Sequence, residues 1–221
     1  MAQNDTINTN NSSCFMTNDN TIYVLGDFTL ANMGAILGRL GTYIYNRMPT
    51  APIYTLDTKI ESPYSINNSD NRPVIDIFID SPGGETRLLQ DLTTLLNIAK
   101  LRGAIIRTTV LSCAFSCGSM LAIQGTPGFR IMAEHARHLV HFGSMRFGGS
   151  SETQLKSEEK NARSYKDFSQ SLYSSYTKMP EKMIKKLCSA EGDFLDTSQC
   201  LEHSLCDWII GEHGQLKGRT K

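Results

Sequence analysis

The chain has no excess of charge of either sign, since its 221 residues include 22 acidic and 22 basic side chains. Without a global field, no attraction to nucleic acid or to an anionic membrane surface is indicated. It also contains no run of about 18 apolar residues, so a membrane-spanning helix is not predicted. The first residues lack the charged-then-apolar pattern of a secretory signal. We expect a soluble protein with no nucleic-acid and no membrane partner.

Cysteines at metal-ligand spacing are missing as well. None of the six cysteines belongs to a C-x-x-C motif, which argues against a metal site. The simplest location is therefore a reducing compartment, the cytoplasm or an organelle stroma or matrix. The length suits one domain, which at this size buries about 70% of the surface of the unfolded chain.

Composition divides the chain into a body and two ends. Residues 1–20 are rich in Asn, Thr, Ser and Asp and predict a flexible arm. The single domain is expected at 21–210, followed by a polar tail at 211–221. Within the domain, the Pro- and Asn-rich stretch 46–73 predicts a long inserted loop. A long polar helix with a narrow apolar stripe is predicted at about 150–178.

The centre of the chain predicts an α/β fold. Residues 74–80 alternate between apolar and polar side chains and predict a strand. The next segment, 85–100, has apolar residues at helical spacing, and 105–110 is an apolar run typical of a buried strand. Strand, tight turn, helix and strand form a βαβ unit with parallel strands.

A small-residue turn at 112–120 follows this second strand and precedes an apolar helical run. A serine at a strand-to-helix turn with small neighbours suits a nucleophile. Ser116 is the candidate. The structural alternative is that Ser116 and Ser119 cap a helix, because serine is a preferred N-cap residue.

Two further segments favour the catalytic interpretation. His141 ends an apolar strand at 138–141, from which an imidazole can take the proton of the serine. His138 lies three residues earlier, so strand alternation points it to the opposite face. The Ser-Pro-Gly-Gly turn at 81–84 can offer backbone N–H groups to an oxyanion, as can Cys117.

The order of Ser-Pro-Gly-Gly at 81–84, Phe-Ser-Cys-Gly at 115–118 and Leu-Val-His-Phe-Gly at 139–143 resembles the Clp protease proteolytic subunit, ClpP. This family consists of self-compartmentalised serine peptidases. The resemblance covers roughly 22–210. It implies the ClpP/crotonase fold of repeated ββα units with an extended handle helix. The chain departs from the family pattern at Phe115, Cys117 and the 142–143 pair, which puts the shape of the substrate subsites in question.

The resemblance assigns a role to each candidate. It implies that Ser116 is the nucleophile and His141 the base, and that the N–H groups of Gly84 and Cys117 form the oxyanion hole. A Cys117 nucleophile is the rival, but adjacent residues of one turn do not both face one histidine. No metal and no organic cofactor is implied.

The third member of a triad is an acid that orients the histidine. Glu191, Asp193 and Asp196 are the candidates from the sequence. The family carries its aspartate just before a Phe-Leu segment similar to 194–195, and the best fit, with one gap, is Asp193. A shift of two residues selects Glu191.

The resemblance also implies partners. It implies unfolded polypeptide substrates, and heptameric rings stacked as a tetradecamer through the handle helix, with or without paralogous subunits. A separate AAA+ unfoldase of the Clp type is implied too, since the chain has no phosphate-binding G-x-x-x-x-G-K-[ST] loop. The arm at 1–20 would then restrict the axial entrance. Two alternatives stay open: a catalytically impaired, ClpR-type structural ring subunit, and a crotonase-type acyl-CoA enzyme.

Overall fold

The computed structural model describes residues 14–53, 60, 62–64, 72–142, 151–189 and 192–218. Within these residues the elements, in chain order, are β1 (Cys14–Met16), β2 (Thr21–Val24), α1 (Leu30–Asn46), β3 (Val74–Ser81), α2 (Thr86–Leu101), β4 (Ile105–Phe115), α3 (Cys117–Ala122), β5 (Arg130–Ala133), β6 (Arg137–Val140), α4 (Glu152–Tyr176), α5 (Glu181–Leu187), β7 (Asp193–Leu195), α6 (Thr197–Glu202), β8 (Trp208–Ile210) and β9 (Leu216–Gly218).

The strands form one mixed sheet in the order β1-β2-β3-β4-β5-β8-β9. Its interior pairs, from β2 to β8, are parallel, whereas β1 and β9 join the two edges in antiparallel orientation. β6 pairs in parallel with β4, and β7 pairs with β6 in antiparallel orientation. The predicted α/β class with parallel strands is confirmed.

β4 is the longest strand and changes its neighbour along its length. Thr108–Val110 pair with β5, whereas Cys113–Phe115 pair with β6. The strand was expected to end at residue 110, but it continues to Phe115 because β6 supplies ladder partners that the sequence does not reveal. β6 therefore branches from the main sheet beside the end of β4.

The core lies between the sheet and its helices. β3 alternates strictly, and Ile75, Ile77 and Ile79 face the buried side. α2 covers them with its buried stripe of Leu88, Leu92 and Leu96 among others. The strand–helix–strand unit predicted for 74–110 is confirmed.

The ends of the chain are more structured than predicted. β1 lies inside the expected flexible arm, and its Cys14 and Met16 are buried against α1 and the sheet. β9 likewise lies inside the expected tail and pairs with β8. Both predictions were wrong at these residues, because edge pairing with a sheet orders short segments of low hydrophobicity. The rest of the predicted arm, 1–13, lies outside the described residues, as do 54–59, 61 and 65–71 of the predicted loop.

α4 is a long helix that is attached to the body by one end. It begins with a capping box between Ser151 and Gln154, and its buried residues, Ser169, Leu172 and Tyr173, all lie in the C-terminal part. Leu155, predicted to lie on the apolar stripe, is exposed. The N-terminal half therefore has no core of its own. Among the helices that the structure describes, none is long and apolar enough to cross a membrane.

Candidate active site

Three segments that carry candidate site residues meet at one edge of the sheet. β3 and β4 are parallel, with Ser81 paired to Ala114, and β4 and β6 are parallel, with Phe115 paired to Leu139. Parallel strands end at the same edge, so the 81–84 turn, Ser116 and His141 lie side by side. Such carboxyl ends are where α/β folds usually place their ligands.

Ser116 has an uncommon backbone conformation. Its φ is 54° and its ψ is −119°, which a non-glycine residue rarely adopts and which costs about 1–3 kcal/mol. The residue lies between the end of β4 and the start of α3, and its N–H donates to the carbonyl oxygen of Leu139 at 3.0 Å. A serine on a sharp strand-to-helix turn is the geometry of an exposed nucleophile.

Gly83 brings the Ser-Pro-Gly-Gly turn against this serine. Its φ is 102°, and a Cβ added there would lie 2.6 Å from the Cβ of Ser116 and 3.0 Å from the backbone nitrogen of Cys117. No larger residue fits this contact. The side chain of Ser81 holds the turn, since its Oγ donates to the carbonyl oxygen of Gly26 at 2.6 Å and accepts from Gly83 N–H at 3.1 Å.

Two backbone N–H groups lie at this contact, those of Gly84 and Cys117. Gly84 forms a bridge to Phe28 in which its own N–H takes no part, because the bonds run from Phe28 to Gly83 and from Glu85 to Phe28. Cys117 is the first residue of α3, where an N–H has no partner within the helix. In the described part of the chain neither N–H donates to a backbone carbonyl oxygen, although both are directed towards the thiol of Cys117.

The two histidines of this segment face opposite sides of β6, as strand alternation predicts. His138 is completely buried and its Nδ1 lies 2.9 Å from Ser119 Oγ, whereas His141 is only half-buried. Burial lowers the pKa of His138 to about 3. No hydrogen bond joins Ser116 and His141 within the described residues, so the structure places them on adjacent strand ends without closing a pair.

The thiol of Cys117 does not compete with Ser116. It is buried and lies 3.2 Å from the carbonyl oxygen of Gly84. Burial raises the pKa of this thiol to about 11. Because the thiolate is the reactive form of cysteine, this side chain packs in the core and does not serve as a nucleophile.

Within the described residues, no hydrogen bond joins Asp193, the acid expected beside His141, to that histidine. Asp193 is exposed, pairs with Val140 across the β6–β7 ladder, and accepts the N–H of Phe194 at 2.8 Å through Oδ1. Gly192 instead meets the histidine, since a Cβ added there would lie 2.3 Å from the Cβ of His141. The assignment of Asp193 stays a prediction, and the alternative, Glu191, lies outside the described residues.

Sequence reasoning missed two features near the site. The ring of Phe115 packs edge-on against Phe194, with 5.3 Å between ring centroids, and this aromatic pair borders the nucleophile. Tyr173 of α4 donates a hydrogen bond to Ser119 Oγ at 2.8 Å, beneath the nucleophile. Both contacts join residues distant in sequence, and no local pattern signals them.

Comparison with known proteins agrees with this geometry. The family model described as Clp protease matches residues 60–213. The chain is 25% identical over 185 residues to the ATP-dependent Clp protease proteolytic subunit of Deinococcus radiodurans, covering 79% of this chain and 88% of that protein. It is 25% identical to proteolytic subunit 2 of Nocardia farcinica, with 81% and 90% covered, and 26% identical to the subunit of Streptococcus uberis, with 69% and 76% covered. The chain belongs to the Clp protease family.

Proposed function

We propose that this protein is a serine endopeptidase in which Ser116 attacks the peptide carbonyl and His141 carries the proton to the leaving amine. One observation carries the proposal: Ser116 has a strained, positive-φ backbone at a strand-to-helix turn, beside the glycine turn and the strand end that bears His141. Structural caps do not require that strain, whereas an exposed nucleophile does.

The oxyanion of the tetrahedral intermediate is proposed to bind between the N–H groups of Gly84 and Cys117. Both flank the contact between the two turns, and neither donates to a backbone carbonyl oxygen in the described residues. Donors that are fixed before the reaction lower the barrier without reorganisation, and one such donor is typically worth about 10²–10³ in kcat.

Assembly and a partner form part of the proposal. The curated relatives are named as proteolytic subunits of an ATP-dependent protease, so we propose self-assembly into stacked heptameric rings and an AAA+ unfoldase that delivers unfolded chains. The exposed half of α4 suits contact with a second ring. A stack of aromatic rings on the outer side of the sheet, Phe15, Tyr23 and Phe78, supplies an apolar surface for the unfoldase.

A structural, catalytically impaired ring subunit is the second candidate. It is favoured by two features of the described residues: no hydrogen bond joins Ser116 to His141, and a glycine, Gly192, stands at the position that meets the histidine. Such a subunit would assemble without cleaving peptides.

A fluorophosphonate probe and native mass measurement distinguish the two candidates. We expect one covalent adduct per chain in the wild type and none in Ser116→Ala. Ser112→Ala is the matched control, since Ser112 is an exposed serine of β4, the strand that precedes Ser116, and its loss should leave the labelling unchanged. A ring-sized particle that is never labelled and cleaves no fluorogenic dipeptide would establish the structural subunit instead.

Dependence on an unfoldase is tested with a folded substrate. We expect the purified chain to cleave a fluorogenic dipeptide and to spare a stably folded protein, because a chamber admits only unfolded chains. Degradation of the folded protein without any ATPase would refute the compartment. Deletion of residues 1–13 reports whether that segment restricts entry.

A further inference from the structure

Three polar side chains from different elements meet in the core beneath the nucleophile. Ser119 of α3, His138 of β6 and Tyr173 of α4 are each completely buried. The hydroxyl of Tyr173 donates to Ser119 Oγ at 2.8 Å, and Ser119 Oγ lies 2.9 Å from His138 Nδ1. These residues are called the inner network below.

The bonding capacity of the groups suits a network that runs from Tyr173 through Ser119 to His138. Ser119 Oγ accepts the hydrogen of Tyr173, and in the arrangement that uses its own hydrogen within the network it donates that hydrogen to His138 Nδ1. The proton of the neutral imidazole is then on Nε2, which has no partner among the described residues. The orientation of the His138 ring therefore depends on its bond to Ser119.

The inner network stays neutral across the range in which peptidases work. Burial lowers the pKa of His138 to about 3 and raises the pKa of Tyr173 well above its usual value. A charge on any member would be far more costly in the core than a hydrogen-bonded neutral group. The hydrogen bonds of the inner network therefore stay the same while surface groups gain or lose protons as the pH changes.

The network lies three residues from each proposed catalytic residue. Ser119 follows Ser116 within the first turn of α3, and His138 of β6 precedes His141, which directly follows that strand. Among the described residues, the Ser119–His138 bond is the one side-chain hydrogen bond that joins α3 to β6. It fixes the helix that begins at the nucleophile relative to the strand that ends at the base.

We propose that Ser119, His138 and Tyr173 are positioning residues that set the separation of Ser116 and His141. This inference rests on the proposed function for its catalytic consequence. A misplacement of about 1 Å between reacting groups typically reduces the rate about 10²-fold. Tyr173 acts through Ser119, because its hydroxyl holds the serine in the rotamer that reaches the histidine.

The variant Tyr173→Phe tests the proposal, since it removes one hydroxyl and keeps the buried ring. Tyr176→Phe is the matched control from the same helix, because the Tyr176 hydroxyl lies 3.2 Å from Lys100 Nζ and donates to Asn97, and both of these residues are on α2 and not on α3. We expect Tyr173→Phe to slow fluorophosphonate labelling and to lower kcat about tenfold at unchanged KM. The midpoint of its pH profile should not move. Tyr176→Phe should label at the wild-type rate.

Hydrogen exchange of the assembled protein provides a readout that does not depend on activity. We expect faster exchange in peptides covering 116–122 and 137–142 in Tyr173→Phe than in Tyr176→Phe. If Tyr173→Phe does not accumulate in folded form, Ser119→Ala replaces it, with the same expected changes in exchange and labelling.

The outcomes separate the two proposals. A wild type that is never labelled refutes the proposed function, and exchange alone then decides whether the network holds α3 against β6. A wild type that is labelled, with Tyr173→Phe equal to it in rate and exchange, overturns the positioning role. Equal losses in Tyr173→Phe and Tyr176→Phe also overturn it, because the effect would then belong to α4 in general.

Discussion

A histidine and a serine lie near each other on each side of β6, and the two pairs differ in their surroundings. On the inner face, His138 and Ser119 are buried, hydrogen-bonded to each other and joined by Tyr173. On the outer face, His141 and Ser116 are half-buried, and no bond joins them within the described residues. A serine and a histidine near each other are thus insufficient to identify a catalytic pair.

Solvent access and backbone strain distinguish the pairs. The inner serine is in a regular helix, and a histidine whose pKa burial lowers to about 3 is a poor base at neutral pH. The outer serine has φ of 54° and lies beside the N–H groups of Gly84 and Cys117, which donate to no backbone carbonyl within the described residues. The inner pair is thus sealed in the core, whereas the outer pair keeps partial access to solvent, as the proposed peptidase requires.

The largest expected effect separates the two serines. Ser116→Ala should abolish fluorophosphonate labelling and reduce kcat on the order of 10⁶-fold, with the melting temperature within about 2 °C of the wild type. Ser119→Ala should instead lower the free energy of unfolding by about 1–3 kcal/mol, because it leaves two buried groups unpaired. Labelling kinetics and thermal unfolding of both variants measure this. If Ser119→Ala lost labelling as completely as Ser116→Ala and was as stable as the wild type, the two serines would not differ in role as we expect.

The pH dependence of stability tests the burial of His138. Its folded pKa, about 3, lies below the unfolded value of about 6.5, so the unfolded state takes up a proton first as the pH falls. Stability from this residue is complete above pH 6.5 and is lost towards pH 3, by up to about 1.4 kcal/mol per pH unit.

His138→Asn keeps a hydrogen-bonding group near Nδ1 but does not titrate. Its deficit in the free energy of unfolding, measured in urea, should therefore shrink by about 2 kcal/mol between pH 7 and pH 5. Carboxylates titrate equally in both proteins and cancel in this difference. A deficit that does not change with pH would contradict this prediction, because it would mean that His138 binds a proton as readily in the folded protein as in the unfolded one.

The smallest effect is expected at the proposed acid. Asp193 pairs with Val140 and binds its own neighbour's N–H, so we expect Asp193→Asn to change the labelling rate by no more than a few-fold. An orienting carboxylate of a triad is worth about 10⁴ in kcat, and a loss of that size would establish Asp193 as the third member. Glu191→Gln, measured in parallel, tests the alternative.

Local patterning was enough to predict most of the elements near the site. The alternation of β3, the helical stripe of α2 and the opposite directions of His138 and His141 follow from periods of two and 3.6 residues. These are properties of a few consecutive residues, and the structure confirms each of them. The order of the three motifs, which depends on residue identity alone, indicated the family that the comparisons show.

Contacts between distant segments were decided by tertiary structure. The continuation of β4 to Phe115, the pairing of β1 and β9 with the sheet edges and the bond from Tyr173 to Ser119 join residues that no local window contains. The third member of the triad is the clearest example, because the sequence alone did not decide between Glu191 and Asp193. Only the register of β7 on β6 sets Gly192 against His141, since a shift of one residue in an antiparallel pair exchanges the faces of the strand.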